Sequence, residues 1–156
     1  GFKVLDTIYR HSVDFSTSRI YPGIPEYFNA RGRGMYTYLT GSASWYLLTM
    51  VTEVFGVRGC RGDLILQPQL VKEQYDSRGE ASIHAVFASR RLNICYQNPH
   101  HLEHDQIAVK SIQINGKIFP FEPLESTGAL IKREQIKALT PERIHQISVT
   151  LGNHPI

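Results

Sequence analysis

The chain has 156 residues, 42% hydrophobic and 20% charged, with a formal net charge of +3, which is enough for one domain with a real core. The positive excess is small and dispersed over Arg31/Arg33, Arg58/Arg61 and Arg90/Arg91, a pattern of solvated surface charge that argues against a nucleic-acid partner. Two cysteines, Cys60 and Cys95, exclude a disulfide framework.

Phe2, Leu5, Ile8 and Tyr9 recur at helical spacing and predict a short first helix ending near His11. Neither that segment nor the rest of Gly1 to Arg10 has the basic start and long apolar core of a signal peptide. A Gly- and Pro-containing loop is expected from Ser16 to about Thr37, of a length that is usually functional or part of a larger assembly. A second helix follows from Ser42 to Phe55, whose clearly polar residues are Ser42, Ser44, Thr49, Thr52 and Glu53. A helix apolar nearly all round is expected to be buried. Its longest apolar region, Trp45 to Val51, is broken by Thr49 and too short to span a bilayer. A cytoplasmic location without membrane contact is expected.

Near Gly56 to Gly62 the period changes from helical to two. Leu64 and Leu66 recur at a spacing of two, Ala81, Ile83, Ala85 and Phe87 line one face of the next run, and Leu92, Ile94 and Tyr96 that of the next. Ile112 and Ile114 lead into Asn115-Gly116, a type I′ hairpin signal, with Ile118 beyond it. Ile147, Val149 and Leu151 close the pattern, and Thr140-Pro141-Glu142 reads as the start of a single helical turn. Short alternating strands of this kind imply an antiparallel β-sandwich. The expected division is residues 1-58, mostly helical, and residues 59-156, mainly β.

Two familiar patterns have ordinary readings. His100-His101-Leu102-Glu103-His104 matches H-x-x-E-H, yet zinc chemistry needs that spacing on a helix. Here Asn98-Pro99 precedes it and strand patterns flank it, so an inter-strand loop is expected and no metal site is assigned. Arg61-Gly62-Asp63 copies an adhesion tripeptide that recurs by chance.

The turn Thr40-Gly41-Ser42 is the strongest candidate site. Thr40 suits an N-cap, and the first amides of a helix lack intrahelical partners at the positive end of its dipole. Such a turn cradles phosphate or another anion; the bland alternative is an N-cap and nothing more. Glu26 and Asp14 are the nearest carboxylates in sequence, available for acid/base work or for anchoring the loop. Arg31 and Arg33 either clamp phosphate or sugar hydroxyls or are simply solvated. Tyr21, Tyr27, Tyr36, Tyr38 and Trp45 either stack on sugar rings or, as aromatics near a buried helix ordinarily do, belong to the core.

Tyr21-Pro22-Gly23-Ile24-Pro25-Glu26-Tyr27-Phe28-Asn29, Arg31-Gly32-Arg33-Gly34-Met35-Tyr36 and Leu39-Thr40-Gly41-Ser42-Ala43-Ser44-Trp45 together resemble the C-terminal part of the phosphorylases of glycoside hydrolase family 94. The cellodextrin and laminaribiose phosphorylase type is the most similar. The likeness runs on through Thr52-Glu53-Val54-Phe55-Gly56-Val57-Arg58-Gly59 and Gly62-Asp63-Leu64-Ile65-Leu66-Gln67-Pro68, and more loosely to the C-terminus. It implies two helices ending an α/α six-hairpin barrel, then a C-terminal jelly-roll. Also implied is an inverting transferase that cleaves β-glucosides such as cellodextrins with inorganic phosphate, giving glucose 1-phosphate and using no cofactor. Thr40 and Gly41 match the family's phosphate-binding pair, with Ser42 beside them; Glu26, Tyr27, Arg31 and Arg33 fall on the substrate loop. The family's general acid, an aspartate, and its phosphate arginine and histidine lie well upstream of that pair. His11 stands too close to Thr40 and lacks the asparagine-proline context of the phosphate histidine.

The chain is therefore expected to be a C-terminal fragment, inactive alone, whose partners are β-glucan oligosaccharide, phosphate and the missing barrel domain, with a homodimer also conceivable. An exposed apolar patch is expected where the barrel packs. Two alternatives stand beside this: a non-catalytic carbohydrate-binding or assembly module, and the phosphorylase-like end of a cyclic β-1,2-glucan synthase.

Overall fold

The computed structural model describes residues 1–37, 41–125 and 127–154. The chain is mainly β and forms two compact units, Gly1–Met50 and Val51–Ile156. No described helix is long and apolar enough to cross a membrane.

In the first unit, helix α1 spans Phe2–Val13, with Arg10 and His11 in its last turn, where cations suit the helix dipole. Asp14 ends it and starts the next. The Asp14 carboxylate accepts the Ser16 amide and the hydroxyls of Ser16 and Thr17, capping the single turn α2, Phe15–Ser18. Ser18 Oγ donates to the buried Ser12 carbonyl at 2.9 Å, folding α2 back onto α1. Strands β1 (Tyr27–Phe28) and β2 (Gly34–Met35) pair antiparallel. Their turn is built by Asn29, whose Oδ1 accepts the amides of Arg31 and Arg33. His11 Nε2 donates to the Gly32 carbonyl at 2.7 Å and its ring meets Phe28 edge-on at 4.4 Å. The stretch expected to be a bare loop thus has structure of its own, because Asp14, Asn29 and His11 satisfy its backbone locally.

Helix α3 spans Ser42–Thr49 and continues as a π-helical turn, Met50–Val54. Ser42, Ala43, Tyr46 and Thr49 are half-buried, and Tyr46 Oη donates to the Leu5 carbonyl. Other side chains of the helix are bare: Trp45 is 69% exposed and Leu47 64%. This corrects the expectation of a buried helix. Apolar composition demands neighbours without supplying them, and α1 with the β1–β2 segment covers one stripe only. Thr40, the expected N-cap, lies outside the described residues, as do Tyr38 and Leu39.

The second unit holds two sheets. β3 (Val57–Cys60), β4 (Asp63–Leu66), β9 (Glu122–Leu124) and β10 (Gly128–Ile131) form one, in the order β3-β4-β10-β9. β5 (Glu80–Phe87), β6 (Arg90–Gln97), β7 (Ile107–Ile114), β8 (Lys117–Ile118) and β11 (Ile144–Asn153) form the other, in the order β5-β6-β11-β7-β8. All of its ladders are antiparallel except β6 with β11, which run parallel in register from Arg91/Ile144 to Gln97/Thr150. The expectation of a wholly antiparallel arrangement is corrected there. Leu64, Leu66, Ala129 and Ile131 from the first sheet and Leu92, Ile94, Tyr96, Ile147 and Val149 from the second are buried. They form the core of this unit, and the alternation of β6 and β11 is the outcome of burying one face of each strand.

Its hairpin turns show the chemistry each needs. Asn115 (φ 53°) and Gly116 (φ 79°) join β7 to β8, and Arg61 (φ 49°) and Gly62 (φ 94°) join β3 to β4, two left-handed residues each. Ala88 (φ 47°) and Ser89 (φ 60°) do the same between β5 and β6 without a glycine to announce it. Helix α4, Arg133–Lys137, lies before Thr140-Pro141, correcting the helical turn expected at that pair. The reason is His145: buried, it donates from Nε2 to the Thr140 carbonyl at 2.7 Å, and its Nδ1 accepts from Asn115 at 2.9 Å, fixing the connection as a turn into β11.

Candidate functional site

The start of α3 is headed by a glycine. Gly41 occupies the N-cap position at φ −75° and ψ −11° and offers no side-chain cap; its carbonyl accepts the Trp45 amide at 2.8 Å. The first-turn amides of such a helix have no partner within the helix. A Cβ at Gly41 would stand 3.2 Å from Trp45 Cδ1 and 3.4 Å from Nε1, so the glycine lets the indole lie against the helix start. Ordinary carbon contacts need about 3.5–4.0 Å.

Ser42, Trp45, Tyr46 and Thr49 of α3 form one wall of a cleft of about 320 Å³. Leu5 and Ile8 of α1 and the segment Ile24–Phe28 form the rest. That volume lies at the lower end of the roughly 300–1,000 Å³ of small-molecule sites. Glu26 and Tyr27 reach the cleft from the strand β1 end. The Glu26 amide is fixed by the Met35 and Tyr36 carbonyls, while its exposed carboxylate has no hydrogen-bond or ion-pair partner among the described residues. The rings of Tyr27 and Tyr36 lie 5.9 Å apart at 47°. The structure therefore brings together Glu26, Tyr27, Ser42 and Trp45, which the sequence proposed separately, with Trp45 exposed on the α3 wall.

Other candidates are placed elsewhere. Arg31 and Arg33 are exposed at the β1–β2 turn, with their amides on Asn29, and they do not line the cleft. Asp14 is engaged in the α2 cap, and the Ser16 hydroxyl, then Thr17, hold its carboxyl below the ordinary 3.8; an acid kept ionised by neighbouring donors is a poor proton donor. His11 binds the Gly32 carbonyl, a structural task. Tyr21 lines a separate apolar hollow with Tyr9, Val13 and Leu47, where the Ser12 hydroxyl is buried with no hydrogen-bond partner among the described residues.

In the second unit, His100 to His104 lie in the non-helical connection between β6 and β7. The buried Asn98 side chain holds both the amide and the carbonyl of Leu102, and Glu103 pairs with Lys72 at 2.7 Å. Among the described residues no three His, Cys, Asp or Glu side chains are grouped to hold a metal. Arg61-Gly62-Asp63 is a structural turn. Asp63 accepts the Arg133 amide at 2.8 Å at the start of α4 and pairs with Lys132 at 3.3 Å. The Arg133 amide, then Lys132, hold its carboxyl below the ordinary 3.8.

In the sequence Trp45 reads as an aromatic that either stacks on a sugar or joins the core, and the structure leaves it exposed. No protein-family model matches the chain, and no curated protein matches it.

Proposed function

We propose that the chain is the C-terminal portion of an inverting glycoside phosphorylase that cleaves β-glucosides with inorganic phosphate. The observation that carries this reading is the glycine-headed start of α3, where Ser42 lines the same cleft as Glu26 and Trp45. In this reading α1 and α3 are the closing helices of an α/α barrel, and the two sheets after them are a jelly-roll domain. The exposed apolar residues Val4, Tyr9, Val13, Phe15, Leu47 and Leu48 support it, since a surface this apolar is typical of an interface.

The chemistry asks little of this part beyond positioning. Phosphate is the nucleophile: its oxygen attacks the anomeric carbon, the glucosidic C–O bond breaks, and a carboxylic acid of the barrel protonates the departing oxygen. Amides at Gly41 and Ser42 hold the anion beneath that carbon, with Thr40 assigned to the same task by the resemblance. Such a turn binds phosphate but moves no proton, so the chain alone is inactive.

Two measurements test this. Incubated with cellodextrins and phosphate, the purified chain should release no glucose 1-phosphate. Titration with phosphate or sulfate, but not chloride, should change the emission of Trp45, the single tryptophan. Turnover by the chain alone, or an emission indifferent to both oxyanions, would refute the reading.

A further inference from the structure

We propose that the hollow between α1, residues 21–24 and α3 binds a neutral fused-ring aromatic molecule carrying one hydrogen-bonding group, of which indole is the simplest. Tyr9, Ser12 and Val13 of α1 and Ala43, Tyr46 and Leu47 of α3 line it. Each trio follows the three- and four-residue spacing that places side chains on one helix face. The hollow thus lies against the Ala43 and Leu47 side of α3, whereas the cleft with Glu26 lies against Ser42, Trp45 and Thr49.

Ser12 supplies the polar feature. The residue is only 1% exposed, and its hydroxyl has no hydrogen-bond partner among the described residues. Its carbonyl is satisfied by Ser18 Oγ at 2.9 Å, so the hydroxyl alone is left over. A buried hydroxyl without a partner is costly, and a ligand N–H or O–H directed at it would remove that cost. Tyr46 is already engaged, since its hydroxyl donates to the Leu5 carbonyl at 3.2 Å, which fixes its ring. Among the described residues no charged side chain lines the hollow, so an ionic ligand would lose its hydration with nothing in return. The rings of Tyr9, Tyr21 and Tyr46 favour a flat π system over an aliphatic one. Size points the same way. A closed apolar cavity of about 150 Å³ admits one benzene, and this hollow, at about 360 Å³, has room for a fused pair of rings. Tyr9 and Tyr21, 52% and 58% exposed, leave it open to entry from solvent. The site stands apart from the phosphorylase reading, because it uses neither the α3 amides nor Glu26.

The test is isothermal calorimetry on the full chain with three ligands: indole; indene, in which a CH₂ replaces the N–H; and the aliphatic cyclohexanol. Indole should bind with half-saturation on the order of 1 mM, indene about fivefold more weakly for want of one hydrogen bond, and cyclohexanol not measurably. Ser12→Ala should erase the difference between indole and indene. Because the hydroxyl it removes is unpaired, its melting temperature should equal or exceed the parent's. Ala43→Leu fills the hollow with a good helix former and should abolish binding of both aromatics, with circular dichroism unchanged. A folded chain that binds no indole overturns the proposal, whether the hollow stays closed or a second copy of the chain occupies it. So does a preference for indole that survives Ser12→Ala, or a lower melting temperature in that variant, which would show the hydroxyl bonded within the protein. Neither phosphate nor sugar enters the experiment, so its failure leaves the phosphorylase reading untouched.

Discussion

Replacing Gly41 with alanine should damage the site while sparing the fold. At φ −75° and ψ −11°, alanine takes the same backbone shape without strain. Two small effects oppose each other: an N-cap alanine costs about 0.5–1 kcal/mol against glycine, and the lost freedom of the unfolded chain returns about 0.4–1 kcal/mol. Net stability should therefore change by no more than about 0.5 kcal/mol, a melting shift of about 1–2 °C for a chain of this length. The new methyl, however, would stand 3.2 Å from Trp45 Cδ1, and the indole must move away by a few tenths of an ångström to restore about 3.5 Å. Trp45 emission should change in the unliganded variant, and phosphate affinity should fall about tenfold, equivalent to about 1.4 kcal/mol. That is close to the lower value for one hydrogen bond to a charged group, about 1.5–3 kcal/mol. Emission spectra and phosphate titration of both proteins read these two effects, and a thermal melt reads the third. Unchanged emission and phosphate response would show that Gly41 does not set the position of Trp45. A large loss of stability would show that it is a structural glycine.

Three further substitutions test the second unit. Gly56→Ala should cost more than about 3 kcal/mol, because left-handed strain of about 1–2 kcal/mol is joined by a Cβ 1.8 Å from the Gln67 carbonyl oxygen and by disruption of the Gln67 amide bond to Gly56. Gly116→Ala, also left-handed but with nothing within 4 Å, should lose only the strain of about 1–2 kcal/mol; equal losses in urea unfolding would contradict the steric argument. Asp63 supplies a pH test, since the Arg133 amide and Lys132 hold its folded pKa below the ordinary 3.8. The folded state then takes up that proton less readily than the unfolded chain, so the stabilisation is complete above 3.8 and is lost as pH falls through the lower folded value. Asp63→Asn should be less stable than the parent at neutral pH, and the gap in melting temperature should narrow below pH 3.8; a gap constant with pH would refute the assignment.

The sequence by itself determined what local chemistry can specify. Alternation marked β5, β6 and β11 because a half-buried strand must repeat every two residues, and Asn115-Gly116 marked its hairpin because both residues tolerate positive φ. The same logic was silent at Ala88-Ser89, where tertiary pairing of β5 with β6 holds two ordinary residues in the left-handed region. It was silent too on the short strands β3, β9 and β10, whose ladders span few residues. Only the tertiary structure decided that β11 lies between β6 and β7 and runs parallel to β6, since periodicity assigns a strand its buried face and says nothing of its neighbours. The site divides in the same way. Gly41 and Ser42 were legible as a helix start, and Glu26 and Tyr27 as polar and aromatic residues of a nearby segment. That Ser42, Glu26 and Tyr27 meet Trp45 in one cleft, and that Trp45 is open instead of buried, depended on which side of α3 the rest of the unit covers. Composition fixes how much apolar surface a helix carries, and packing alone fixes which part of it stays in contact with water.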